Sequence, residues 1–69
     1  MKTVIKVEGM TCHHCVNHVK AALLEIPQVV DVIVNLIEGK ATIISNEKIA
    51  EKVFEKAISD AGYTFIGVE

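Results

Sequence analysis

Residues 29–45 read Val-Val-Asp-Val-Ile-Val-Asn-Leu-Ile-Glu-Gly-Lys-Ala-Thr-Ile-Ile-Ser, and the architecture turns on this stretch. Val32, Val34 and Leu36 recur at every second position, the period of a strand with one buried face, so a strand is expected over 29–36. Ala41 and Ile43 repeat the pattern over 40–45. Glu38-Gly39 between the two runs is a tight-turn signal, Gly taking the positive φ such turns need. Two alternating runs joined by that dipeptide predict an antiparallel hairpin.

Upstream of the hairpin, Val16, Val19, Leu23 and Ile26 fall at steps of three and four, which gives a helix over 13–26 one apolar stripe. Thr11 is placed to cap its start. Pro27 turns Ile26 away from helical geometry and stops the helix there. Before the helix, residues 3–8 alternate as a strand, with Ile5 and Val7 on one face and Val4, Lys6 and Glu8 on the other. Gly9 ends that strand, and residues 9–14 form a loop.

Downstream, a second helix is expected over 47–61, capped by Asn46 or Ser45, with an apolar stripe of Ala50, Phe54, Ala57, Ile58 and Ala61. Lys48–Glu51, Lys52–Glu55 and Lys56–Asp60 are spaced to pair along its wet side, each pair contributing ~0.2–0.5 kcal/mol. Gly62 suits the position that ends the helix, and residues 63–68 form a last strand. The order strand, helix, strand, strand, helix, strand is the split βαβ pattern. It predicts an α+β, ferredoxin-like βαββαβ sandwich over 1–69: a four-stranded antiparallel sheet with both helices on one face.

Composition narrows the function. A chain of 69 residues is one domain, and it buries only ~60% of the surface its unfolded form exposes. With 51% hydrophobic residues and three aromatics, Phe54, Tyr63 and Phe65, the core must be built mainly of Val, Ile, Leu and Ala. Seven lysines, no arginine and nine acids give a net charge of −2, which does not supply the basic surface a nucleic-acid binder needs. No apolar run approaches the 18 or more residues of a spanning helix, and no secretory signal precedes the first strand. The cytoplasm is therefore the expected location.

The chemistry concentrates in Cys12-His13-His14-Cys15. Thiolate sulfur is a soft ligand that suits Cu(I) and Zn(II). The free N–H groups and positive dipole end of the following helix favour a thiolate. Spacing i, i+3 across a loop-to-helix junction lets both sulfurs converge on one point. Two ligands suit Cu(I), whereas Zn(II) normally takes four and would need histidine, water or a second molecule. Three rivals are weaker. A thioredoxin-like redox pair belongs to a larger fold with a different element order. Haem attachment needs His directly after the second Cys, and Val16 stands there. A structural zinc finger needs further ligands, and this chain is apolar enough to fold without metal.

The run Gly9-Met10-Thr11-Cys12-His13-His14-Cys15, set in this element order and followed by Gly62-Tyr63, resembles the heavy-metal-associated domain family and, within it, the bacterial copper chaperones. The resemblance covers essentially the whole chain. It implies that Cys12 and Cys15 bind the metal, most simply Cu(I), with Zn(II) or another soft metal as the alternative. It places Met10, His13, His14 and Tyr63 around the pair, as neighbours that shape the site or as auxiliary ligands. Met10 is expected to pack under the loop, and Tyr63 to sit beside the metal. His14 resembles a His that bacterial copper chaperones carry before the second Cys, whereas His13 departs from the commonest pattern. His18, one turn on, reads as a surface residue, with ligand duty as the alternative.

The resemblance further implies a metal carrier, not an enzyme. It would deliver Cu(I) by thiolate exchange to the metal-binding domain of a copper-transporting P-type ATPase. The start at Met1 and the end just after the last strand favour a free-standing chaperone over an ATPase domain or a Zn/Cd/Hg-handling relative. A thiol–disulfide oxidoreductase is the rival of another class. One feature stands outside the family signature: the uncovered sheet face is expected to carry Val4, Ile33 and Ile44, joined by Val30 and Ile66. Such a face either pairs with a second protomer or is a tolerated apolar surface; a metal-linked homodimer is a separate expectation, through His13 or His14.

Overall fold

In the computed structural model, which describes residues 1–69, the chain runs β1 (Lys2–Glu8), α1 (His13–Leu24), β2 (Val29–Asn35), β3 (Lys40–Ser45), α2 (Glu51–Asp60) and β4 (Thr64–Val68). The strands form one sheet in the order β2-β3-β1-β4, every pair antiparallel. The expected βαββαβ sandwich is therefore observed. No helix is long and apolar enough to cross a membrane.

The core lies between the sheet and the helices. Ile5 and Val7 of β1, Val32 of β2, and Ala41 and Ile43 of β3 meet Val19 and Leu23 of α1 and Phe54 and Ile58 of α2. Ile26 stays buried in this cluster although α1 ends before it. Glu25 is the C-cap, and the Ile26 N–H turns back to the Leu23 carbonyl at 3.2 Å. Pro27 thus ends the helix two residues earlier than expected, because the residue before a proline is pushed out of helical geometry. Ser45 is the one buried polar residue. Its hydroxyl donates to the Glu47 carbonyl at 2.8 Å, and no buried side-chain nitrogen or oxygen lacks a partner.

The structure corrects two further boundaries. Leu36 is not in β2. The strand stops at Asn35, whose Oδ1 accepts the Glu38 N–H at 3.0 Å, so Leu36–Gly39 form a four-residue turn in place of a two-residue one. Leu36 is half-buried there and Ile37 fully exposed. Likewise α2 begins at Glu51, not at 47. Ser45 and Asn46 do not cap it; Ala50 holds that position with extended backbone and no side-chain bond. Ser45 has turned inward, and Ile49 packs against the core before the helix starts. Ala50 is accordingly exposed, outside the buried stripe. Of the three expected ion pairs, only Lys56–Asp60 approaches, at 3.8 Å between two exposed side chains.

Two bulges were not foreseen. One lies between Val29 and Asp31 in the β2–β3 ladder, the other where Lys6 and Val7 of β1 face β4. Each adds an unpaired residue that bends its strand locally; Val30 and Ile66 are those residues and both are exposed. The uncovered sheet face does carry Ile33, 59% exposed, beside Val4 and Ile44. An ion pair between Lys40 and Glu69 at 2.8 Å closes one end of that face.

Candidate metal centre

Three chain segments meet at the start of α1: the loop after β1, the first two turns of α1, and the link between α2 and β4. Gly9 opens the loop at φ +102°, in the left-handed region that side chains disfavour. Its missing Cβ also faces another segment, because one built there would stand 3.6 Å from Cδ1 of Tyr63. Met10 is half-buried and packs against the core.

Cys12, and not Thr11, is the N-cap of α1. Its backbone is extended, and its carbonyl accepts the N–H groups of Cys15 at 3.1 Å and Val16 at 3.2 Å. No side chain caps the helix and its first turn holds no acid. The positive end of α1 is thus left for other anions, and a thiolate fits that role. The two sulfurs lie 3.8 Å apart, both as free cysteines, Cys12 exposed and Cys15 half-buried. With metal–thiolate bonds of ~2.3 Å, both can reach one ion without a change in the backbone.

Cys15 is the more closely held of the two. Its thiol is drawn down to about 6, first by hydrogen bonding from the Thr11 backbone, then by the Tyr63 hydroxyl and the Thr11 hydroxyl. Thr11 Oγ1 stands 3.7 Å from its sulfur. The reciprocal effect appears on Tyr63, pushed up to about 12, chiefly by its hydrogen bond to Cys15 and then by desolvation. Cys15 is therefore largely a thiolate at neutral pH, the state in which sulfur ligates metal.

Tyr63 reaches the loop through the way α2 ends. The Tyr63 N–H bonds to the Ile58 carbonyl at 3.1 Å and the Gly62 N–H to the Ser59 carbonyl at 3.0 Å, the paired bonds of a Schellman motif with Gly62 at C′. Tyr63 is half-buried against the core, so its hydroxyl is aimed by packing and not free to wander. His13 and His14 are both exposed on the first turn of α1. His18 is exposed, as its sequence position predicts, and its Nδ1 lies 3.5 Å from the Tyr63 hydroxyl. The available signal was its spacing: three residues after Cys15 is the same helix face. No three His, Cys, Asp or Glu side chains are grouped closely enough to hold an ion together, so the sulfur pair is an open, low-coordinate site.

Comparison with known proteins places the fold and the sequence among related chains. The sequence profile of the heavy-metal-associated domain matches residues 4–64. The chain is 39% identical over 61 residues to the copper chaperone CopZ of Staphylococcus epidermidis, covering 87% of this chain and 90% of that one. It is 42% identical over 57 residues to copper-transporting ATPase 1 of Rhizobium meliloti, where 83% of this chain spans only 7% of the relative's length. A solved CopZ metallochaperone superposes with a TM-score of 0.89 at 34% identity, covering 96% of this chain and all of that one. With the βαββαβ fold, the paired thiols at the start of α1 and a profile that spans most of the sequence, the chain belongs to the heavy-metal-associated domain family.

Proposed function

We propose that this protein carries Cu(I) as cargo between the sulfurs of Cys12 and Cys15 and passes it to a second CxxC-bearing domain. The observation that supports this best is the pair of thiols 3.8 Å apart at an uncapped, acid-free helix start, with Cys15 already largely ionised. Two thiolates satisfy Cu(I), which accepts low coordination, better than Zn(II), which prefers four ligands. Similarity to copper chaperones points to the same ion.

In this reading the exposed Cys12 is the side from which the partner approaches. An incoming thiolate forms a third sulfur bond to Cu(I). One of the chain's own sulfur bonds then breaks, and a second exchange completes the handover. No electrons change place, and the copper is never released to water. Tyr63 holds its hydroxyl on Cys15, stabilising the thiolate and shielding one flank of the ion. Met10 fixes the loop from below. His13 and His14 stand exposed at the rim, open to a second molecule. The acceptor we infer is the metal-binding domain of a copper-transporting P-type ATPase, in the cytoplasm. The protein is a carrier and not an enzyme.

Anaerobic titration of the reduced protein with Cu(I) and, separately, Zn(II), each against a coloured competing chelator, tests the reading. Tight one-to-one Cu(I) binding that is lost in Cys12→Ser, and weaker Zn(II) binding, are expected. Comparable or tighter Zn(II) binding that depends on His13 or His14 would reassign the protein to zinc. A second reading, a domain within an ATPase, draws on the 42% identity to the Rhizobium enzymes. Immunoblotting of source cells separates the two: a band near 7.5 kDa supports the carrier, and a band of ATPase size the domain.

A further inference from the structure

His14 and His18 both lie on α1, both exposed, four residues apart. Residues at i and i+4 of a helix stand one above the other, with ~5–6 Å between their Cβ atoms. Two imidazoles on one helix face at that spacing form a recognised divalent-metal clamp. His13, one residue earlier, has Asn17 at the corresponding position and so lacks an imidazole partner.

The contact between His18 and Tyr63 adds a second, independent condition. The Tyr63 hydroxyl stands over the same helix face, within reach of the His18 ring. Its oxygen lies 3.5 Å from His18 Nδ1, and an Nδ1–H that donates to it leaves the ring's lone pair on Nε2. Metal-binding histidines are typically arranged this way, one ring nitrogen donating to a protein oxygen and the other facing the ion. As His18 is exposed, that Nε2 is open to solvent. No lysine occurs in α1 before Lys20, and Lys20 falls on the far side of the helix from His18.

We propose that His14 and His18 form a second metal site, separate from the thiolate pair, that takes a borderline divalent cation such as Zn(II) or Cu(II). Imidazole nitrogen suits these ions. The site has two protein donors, since no third His, Cys, Asp or Glu joins them, and the remaining positions go to water. It is consequently an open, exchangeable site, weaker than the sulfur pair for soft ions. A protein built this way holds a soft monovalent ion and a borderline divalent ion side by side on the first two turns of one helix.

The experiment removes the thiolates. In the Cys12→Ser/Cys15→Ser variant, Zn(II) is titrated by calorimetry and Cu(II) by electron paramagnetic resonance. Saturable one-to-one binding is expected, with Cu(II) showing nitrogen coupling. Substituting His18→Asn or His14→Asn in that background should weaken binding at least tenfold, and His13→Asn should leave it unchanged. Absence of saturable binding, or equal binding in the His18→Asn and His13→Asn proteins, overturns the proposal. The copper-carrier reading is untouched by either result, because it is read from Cu(I) binding to the intact thiol pair.

Discussion

Gly9 and Tyr63, 54 positions apart in the chain, face each other across the metal loop: a Cβ on Gly9 would lie 3.6 Å from Cδ1 of the Tyr63 ring. That distance is ordinary van der Waals contact, so a methyl group there fits. The backbone is the difficulty, since Gly9 holds φ +102°. A non-glycine residue in such a region costs ~1–3 kcal/mol. Gly9→Ala should therefore lower the thermal midpoint of the metal-free protein by at least ~4 °C. An unchanged midpoint would mean that the loop does not need this conformation.

Cys15 offers an ordering test. The Thr11 backbone is the largest influence lowering its pKa, followed by the Tyr63 hydroxyl and then the Thr11 hydroxyl. Tyr63→Phe should therefore raise the Cys15 pKa above about 6. Thr11→Val should raise it less, because it removes only the Thr11 hydroxyl, which lowers the pKa less than the Tyr63 hydroxyl does. Thiolate absorbance against pH in a Cys12→Ser background, where only one thiol titrates, reads both. A larger shift from Thr11→Val than from Tyr63→Phe would reverse the assignment.

The same thiol makes folding depend on pH. Its pKa falls from 9.0 to about 6 on folding. A group whose pKa is depressed in the native state stabilises that state above the unfolded value and loses its contribution as pH falls through the native value. The reduced, metal-free protein should therefore gain stability from Cys15 between about pH 6 and 9. Urea melts at several pH values, compared with Cys15→Ser, test this. The wild type should show the steeper rise over that window, and parallel curves would refute the linkage.

The open sheet face makes a different claim on experiment. Ile33 is 59% exposed and packs against nothing in the helical layer. Ile33→Thr should change monomer stability by no more than ~0.5 kcal/mol, the range of an ordinary surface substitution. A larger loss would be the sign of a second protomer covering the face. Sedimentation of the metal-free wild type across concentrations gives the complementary reading, and a constant monomer would leave the face as tolerated surface.

What the sequence disclosed, and what it hid, divides along a physical line. Periodicity located all six elements, because Val32, Ala41, Ile43, Phe54 and Ile58 recur at spacings that only one face explains. The ends escaped it wherever a short polar side chain chose its own partner. Asn35 captured the Glu38 N–H and ended β2 before Leu36. Ser45 turned inward to the Glu47 carbonyl and left α2 to start at Glu51 without a cap. The cysteines were visible from their motif. The contact of His18 with Tyr63 was not, because it joins residues 45 apart and depends on how Gly62 closes α2.

Phe54 sets the margin within which all of this operates. It is 1% exposed and belongs to the cluster where both helices meet the sheet. With only three aromatics in 69 residues, no other side chain of its size is fully buried. Truncating a buried Phe to Ala costs ~3–5 kcal/mol. A domain of this length has roughly 3–10 kcal/mol of stability in total. Phe54→Ala should therefore leave the metal-free chain partly or wholly unfolded at 37 °C. Cu(I), if it binds the folded chain more tightly than the unfolded one, should restore part of the native population by mass action. Circular dichroism with and without stoichiometric Cu(I) measures both effects. Full native signal without metal would show that the core relaxes around the cavity, and absence of rescue would show that the unfolded chain binds copper equally well.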